Sequence, residues 1–175
     1  ATYGMTETGS GVVYNGRPLP GVEIRIDESG DIAIRAPMLL RAYRDGSTPI
    51  DADGWFPTGD VGHWELDDEG TPRLHVDGRR GDLIITGGEN VWPDAVEAIL
   101  TTHPAVGEVM VRGADDAEWG QLVEAIVVPT DPGAPPSLDM LRAHVKATHA
   151  AFMAPQRLTL ASSLPRTALG KPRRH

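Results

Sequence analysis

The amino-acid sequence predicts a mixed α/β chain of the α+β kind, in which a β-rich part is followed by a smaller α/β part. Up to residue 78, short β-branched runs alternate with turn dipeptides such as Asn15-Gly16 and Pro20-Gly21, which is typical of antiparallel strands. From residue 82 onward, apolar strand-like runs alternate with two segments of helical periodicity, which indicates a small α/β unit.

The first part contains five predicted strands whose number and spacing favour a barrel or a sandwich. They cover residues 12–14, 22–26, 32–35, 61–66 and 73–76. Turn residues at 51–54 and 67–70 separate the later strands. We therefore assign residues 1–78 to one β-rich domain.

The second part is predicted to hold strands at residues 83–86, 105–112, 122–129 and 157–160, with a turn at Gly87-Gly88. Pro93 suits the first turn of a helix over residues 94–100. Ser137 is a suitable N-cap for a second helix over residues 138–148. We therefore assign residues 83–175 to a second domain and residues 79–82 to the segment between the two.

Composition excludes several functional classes. The 175 residues carry a net charge of −9, which argues against nucleic acid or an anionic membrane as the main partner. The chain has no cysteine, so disulfides and thiolate metal sites are excluded, and a cytoplasmic location is expected. No apolar run approaches the roughly 18 residues of a membrane span.

Four short motifs then follow one another along the chain. They read Tyr-Gly-Met-Thr-Glu-Thr at residues 3–8, Gly-Trp-Phe-Pro-Thr-Gly-Asp at 54–60, Gly-Arg-Arg-Gly-Asp at 78–82 and Pro-Arg-Thr-Ala-Leu-Gly-Lys at 165–171. In this order and spacing they resemble the AMP-forming acyl-CoA synthetases and related adenylate-forming ligases. The resemblance implies that residues 1–78 are the β-rich end of a large nucleotide-binding domain that continues upstream, and that residues 83–175 are its mobile C-terminal domain.

The first motif offers groups suited to a nucleotide. The aromatic face of Tyr3 can stack on a purine, the hydroxyl of Thr6 can reach a phosphate oxygen, and the carboxylate of Glu7 is a hard ligand for Mg²⁺. The resemblance implies that Tyr3 stacks on the purine, that Thr6 reaches a phosphate and that Glu7 binds Mg²⁺. It also implies that Gly4 belongs to the same cofactor site. Without the resemblance, the motif would read as a strand end followed by a helix cap.

Asp60, Arg79 and Lys171 are the remaining candidates for the adenylation step. A carboxylate such as Asp60 can accept hydrogen bonds from both ribose hydroxyls, although a turn aspartate that caps its own backbone is the alternative. The resemblance implies that Arg79 also reaches the ribose; taken alone, the arginine belongs to a charged turn. It further implies that Lys171 is the catalytic cation bridging the acyl carboxylate and the α-phosphate, as suits a compact charge on a flexible stem.

Two glycine-containing segments complete the expected sites. Gly87 and Gly88 resemble the loop that lines the pantetheine tunnel in CoA-using relatives, although an ordinary strand–turn–helix connection is the alternative. Gly81 and Asp82 occupy the expected hinge. Gly81 departs from the Asp or Lys usual in the family, and its wide backbone freedom keeps rotation possible.

The resemblance implies an acid–CoA ligase that uses ATP, Mg²⁺ and coenzyme A and passes through an acyl-adenylate and AMP. The compact stretch at residues 9–22 resembles o-succinylbenzoate–CoA ligases of menaquinone biosynthesis in particular. The alternatives are another aryl or fatty acyl-CoA synthetase, an adenylation domain that loads a carrier protein, and a non-catalytic binding module. Because the family's phosphate loop lies upstream, we expect these residues alone to be inactive.

Overall fold

The computed structural model describes residues 1–166 and 174. The chain divides into two compact units, Ala1–Gly81 and Asp82–His175, which we call the first and second unit. The predicted α+β class is confirmed, with strands outnumbering helices. No helix in the described part of the chain is long and apolar enough to cross a membrane.

The first unit consists of two antiparallel sheets. One has the order β1-β2-β3 and the other the order β4-β5-β6-β7. The strands are β1 (Thr2–Gly4), β2 (Gly11–Tyr14), β3 (Arg17–Pro18), β4 (Glu23–Ile26), β5 (Asp31–Arg35), β6 (Phe56–Leu66) and β7 (Pro72–Arg79).

Alternation of apolar and polar residues builds the core of the first unit. In β5 the residues Ile32 and Ile34 are 1% and 0% exposed, and they pack with the neighbouring valines of β2, Val12 and Val13. Successive strand residues point to opposite faces, so every second residue of β5 reaches this core. The strand β6 therefore pairs with the buried strand β5 on one side and forms a long ladder with β7 on the other.

Among its described residues, the second unit has a five-stranded sheet and two α-helices. It comprises β8 (Ile84–Thr86), β9 (Glu89–Val91), α1 (Pro93–Thr101), β10 (Val106–Asp116), β11 (Gly120–Pro129), α2 (Leu138–Lys146) and β12 (Arg157–Leu160). The strand β11 is its hub: it pairs antiparallel with β10 and β8, and parallel with β12.

Both helices begin where the sequence predicts. Pro93 stands at the start of α1, where its missing N–H has no helical partner to lose. Ser137 caps α2 by accepting the backbone N–H of Met140 at 3.2 Å. Leu141 and Val145 bury the inner face of α2, and the apolar core of the second unit lies between the helices and the sheet.

Candidate functional site

Asp60 is the centre of a buried polar cluster in the first unit. It lies on β6 and is 6% exposed. Its Oδ2 accepts the hydroxyl of Tyr3 at 2.6 Å, and its Oδ1 forms an ion pair with Nε of Arg79 at 2.9 Å. A buried carboxylate is costly unless it is paired and hydrogen-bonded, and here one oxygen is hydrogen-bonded and the other is ion-paired. The structure thus brings together three residues that the sequence predicts for the nucleotide site.

The strand register explains why Asp60 and Arg79 lie side by side. Asp60 lies directly opposite Arg79 in the ladder between β6 and β7. Thr58, two residues earlier, donates its hydroxyl to the carbonyl of Ile32 at 2.8 Å and accepts the N–H of Asp60 at 3.0 Å. Arg79 Nη1 also donates to the carbonyl of Thr58 at 3.3 Å. Thr58 therefore positions both charged partners, a role that sequence reasoning missed although the residue lies inside the second motif.

Tyr3 contributes a phenol that stays protonated. Burial and the hydrogen bond that it donates to Asp60 raise the pKa of Tyr3 well above its ordinary value. Its half-buried ring packs against the apolar core of the first unit. Tyr3 therefore holds the Asp60 carboxylate in place. Stacking of its ring on a purine stays a prediction.

The rest of the first motif forms a tight backbone turn. A Cβ on Gly4 would lie 2.3 Å from the carbonyl oxygen of Ser10, so only glycine allows β1 to approach β2 here. A 3₁₀ turn, Thr6–Thr8, follows. Thr8 is buried, accepts the N–H of Met5 at 3.0 Å and donates to the carbonyl of Ser10 at 2.7 Å. Thr8 thus holds the turn, while Thr6 is exposed and accessible to a ligand.

Glu7, the predicted Mg²⁺ ligand, is half-buried on the same turn. Its Oε1 accepts the hydroxyl of Tyr43 at 3.2 Å. Burial and this hydrogen bond raise the pKa of Tyr43. Among the residues that the structure describes, no group of three His, Cys, Asp or Glu side chains could hold a metal ion. Binding of Mg²⁺ by Glu7 stays a prediction.

The predicted CoA loop is a two-residue hairpin in the second unit. Gly87 and Gly88, between β8 and β9, have φ values of 58° and 86°. Positive φ at both positions is the pattern of the type I′ turn, which glycine favours. A Cβ on Gly87 would lie 2.7 Å from the ring of Trp119. The turn borders an open depression of about 790 Å³, whose lining includes Thr86, Trp119, Arg142, Lys146 and Phe152.

The remaining predicted residues are Gly81 and Asp82, the expected hinge, and Lys171, the expected catalytic lysine. Gly81 is exposed, and no atom of the described residues lies within 4 Å of a Cβ built on it. Asp82 accepts a hydrogen bond from Nη1 of Arg174 at 3.1 Å. Lys171 lies outside the described residues. The sequence analysis assigned no role to Arg174, whose partners come from distant parts of the sequence.

Comparison with known proteins agrees with this fold. Residues 95–171 match the family described as the AMP-binding enzyme C-terminal domain. A probable 2-succinylbenzoate–CoA ligase of Mycobacterium tuberculosis is 45% identical over 172 residues, which are 97% of this chain and 44% of that protein. The 2-succinylbenzoate–CoA ligase of Bacillus velezensis is 37% identical over 99% of the chain and 39% of its own length.

Two solved structures extend the comparison. The o-succinylbenzoate CoA synthetase (MenE) of Bacillus subtilis in complex with the acyl-adenylate intermediate OSB-AMP has a TM-score of 0.83 at 34% identity, over 98% of this chain and 39% of that one. The amide bond synthetase McbA of Marinactinospora thermotolerans has a TM-score of 0.80 at 34% identity, over 98% and 40%. The chain spans about two fifths of the length of the curated relatives it matches.

Residues 95–171 therefore correspond to the C-terminal domain of AMP-binding enzymes. Over nearly its whole length, the chain is similar to 2-succinylbenzoate–CoA ligases.

Proposed function

We propose that the full-length protein is an AMP-forming ligase that joins 2-succinylbenzoate to coenzyme A. In the first step the acid attacks the α-phosphorus of Mg²⁺-bound ATP, which gives an acyl-adenylate and pyrophosphate. In the second step the thiol of CoA displaces AMP and leaves a thioester. This reaction belongs to menaquinone biosynthesis, and the cytoplasm stays the predicted compartment.

The single observation that carries the proposal is homology to 2-succinylbenzoate–CoA ligases across 97–99% of the chain. Structures of the Bacillus subtilis enzyme, which is 34% identical, bear OSB-AMP, AMP, or ATP with a magnesium ion. The arrangement around Asp60 is consistent with such ligands. A carboxylate such as Asp60 can accept several hydrogen bonds at once, as two ribose hydroxyls would require.

The proposed roles in adenylation follow from the chemistry of each side chain. Asp60 and Arg79 hold the ribose and Tyr3 faces the adenine. Thr6 donates to a phosphate, and Glu7 supplies one oxygen to Mg²⁺. Lys171 neutralises the charge that develops as the acyl carboxylate approaches the α-phosphate.

For the second step, we assign the hairpin at Gly87 and Gly88 to the pantetheine arm of CoA, with a swing of the second unit about Gly81 and Asp82 between the steps. The ring of Trp119 already fills the space that a side chain at Gly87 would need. The backbone of the hairpin is therefore the surface offered to a thin ligand at this point.

A second candidate is an amide synthetase, in which an amine takes the place of CoA. The similarity to McbA, with 34% identity and a TM-score of 0.80, favours this specific alternative. Adenylation and its residues are the same in both candidates, so only the acceptor distinguishes them.

The test is a two-part assay on the full-length protein. Pyrophosphate release is measured over a panel of acids that includes 2-succinylbenzoate, and the product is then identified with CoA or with an amine as acceptor. We expect fast thioester formation from 2-succinylbenzoate. We also expect Lys171→Ala to lose adenylation while it still converts supplied acyl-adenylate to thioester. Preference for other acids would overturn the substrate, and amide product alone would select the second candidate.

A further inference from the structure

Arg80, on the N-terminal side of Gly81, is tied to the first unit. Its Nε donates to Oδ1 of Asp31 at 3.0 Å, and its Nη2 donates to the carbonyl oxygen of Ser29 at 2.6 Å. The turn that carries these partners is itself fixed, because Asp27 accepts the N–H groups of Ser29 and Asp31, each at 2.9 Å. Arg80 is thus attached to the turn that joins β4 and β5.

Asp82, on the C-terminal side of Gly81, is tied to the second unit through Arg174. Nη1 of Arg174 donates to Oδ2 of Asp82 at 3.1 Å, and Nη2 donates to both carboxylate oxygens of Glu97 at 2.9 Å and to Asp94. Its Nε donates to the carbonyl of Val111 at 3.2 Å. One guanidinium therefore joins the first residue of the second unit to helix α1 and strand β10.

This second attachment is shielded from water. The side chains of Arg174, Glu97 and Asp82 are only 16%, 18% and 19% exposed. Ion pairs at such positions are screened less by salt than exposed pairs. The fork of the guanidinium binds several oxygens at once, which a lysine ammonium does less well.

Gly81 lies between these two attachments. Among the described residues, no heavy atom lies within 4 Å of a Cβ built on Gly81, and glycine has the widest backbone freedom of any residue. We propose that Arg80 and Arg174 are positioning residues that confine the change in backbone dihedral angles between the two units to Gly81. The inference rests on the proposed function only where it predicts rates, because two-step ligation needs two orientations of the second unit.

A single pivot keeps the number of accessible orientations small. If the backbone of one further residue becomes free to rotate, the gain in conformational entropy corresponds to about 1–2 kcal/mol of free energy. This corresponds to about 5–30 times as many accessible states. The productive orientations then become a smaller fraction of the ensemble, and the rate falls with that fraction. Loss of either arginine should therefore lower two-step turnover by about 5-fold or more.

The experiment measures the spread of orientations directly in the full-length protein. Spin labels are placed at Leu66→Cys on β6 and Asp139→Cys on α2, both exposed, in a background from which other cysteines are removed. Pulsed electron–electron double resonance gives the distribution of distances between the two spin labels. We expect Arg80→Gln and Arg174→Gln to broaden it and to lower both adenylation and thioester formation.

Matched controls remove an arginine–carboxylate pair that does not flank Gly81. In the first unit this is Arg35→Gln, which breaks the pair with Glu23, and in the second unit Arg112→Gln, which breaks the pair with Glu124. Both should keep the wild-type distance distribution. Thermal unfolding separates an effect on the pivot from a general loss of stability. If Arg174→Gln does not fold, Asp82→Asn removes the charge from the contact between residues 82 and 174 and leaves the bonds between Arg174 and Glu97.

The outcomes separate this inference from the proposed function. Unchanged distance distributions in Arg80→Gln, Arg174→Gln and Asp82→Asn would overturn the pivot, whatever the activity of the protein. A broadened distribution with unchanged half-reaction rates would overturn the link between the anchors and turnover. If the wild-type protein forms no adenylate from any acid, the proposed function fails, and the distance measurement still decides whether the arginines confine the pivot.

Discussion

Replacing Asp60 by Asn tests the central claim about the site. The substitution keeps the shape of the side chain but removes its charge and one acceptor oxygen. In the structure, Oδ2 accepts the hydroxyl of Tyr3 and Oδ1 forms an ion pair with Arg79, so both oxygens already have a partner within the protein. The ribose hydroxyls must share these oxygens, and Asn cannot serve all four donors because its nitrogen is itself a donor.

The size of the effect follows from the bonds at stake. A hydrogen bond to a charged group contributes about 1.5–3 kcal/mol, roughly twice as much as a neutral one. The side chain of Arg79 is 59% exposed, so solvent screening reduces the loss of its ion pair to about 1 kcal/mol or less. Weakening two ribose bonds by about half each should cost about 1.5–3 kcal/mol of binding, which corresponds to a 10- to 150-fold lower kcat/KM for ATP.

The assay is pyrophosphate release by the full-length protein at varied ATP concentration. The matched control is Asp67→Asn, which also removes a carboxylate paired with an arginine, Arg73, on the same hairpin. Asp67 follows the far end of β6, about 20 Å or more along the strand from Asp60. Equal kcat/KM values for folded Asp60→Asn and wild type, or an equal loss in the control, would refute the reasoning.

Three further predictions concern the second unit, and hydrogen exchange of its amides in the full-length protein measures each as a change in unfolding free energy. Gly87→Ala places a Cβ 2.7 Å from the Trp119 ring at a backbone φ of +58°, so it should cost about 2–3 kcal/mol. Gly88→Ala introduces a side chain at a φ of +86° without that ring contact and should cost about 1–2 kcal/mol. The reverse order of the two costs would contradict the packing of Trp119 against Gly87. Ser137→Ala removes the N-cap of α2 and should cost about 1 kcal/mol, and an unchanged value would show that the cap contributes nothing. Leu100→Ala, at a position that is 0% exposed, should cost about 2–5 kcal/mol, and a loss below 1 kcal/mol would contradict a close-packed core.

Elements with a local signal could be predicted from the sequence. Apolar alternation identified the inner strands of the first unit, and Pro93 and Ser137 gave the starts of both helices. Strands β3 and β9 were not predicted, because they are only two and three residues long and exist through pairing with a neighbouring strand. The strand β10 continues to Asp116, beyond the predicted end at residue 112, because its ladder with β11 continues through polar residues that show no alternation.

The same division applies to the site. The motifs named Tyr3, Asp60 and Arg79, but their hydrogen bonds depend on the register of β6 and β7 and on the position of β1. Thr58 was missed because a threonine in a strand has no distinctive signal until its partners are known. Arg174 was missed for a similar reason, since its acidic partners lie 77 to 92 residues away in sequence.

The parallel pairing of β12 with β11 has a consequence for biosynthesis. Residues 124–127 of β11 pair with Arg157–Leu160, which the ribosome adds after most of the second unit. Until then the apolar edge of β11 lacks this partner, and an open strand edge is a template for pairing with other chains. A premature stop codon between α2 and β12 should therefore leave this edge of β11 unpaired and yield a product that aggregates. Pairing of β12 with β11 covers the edge once synthesis has passed residue 160.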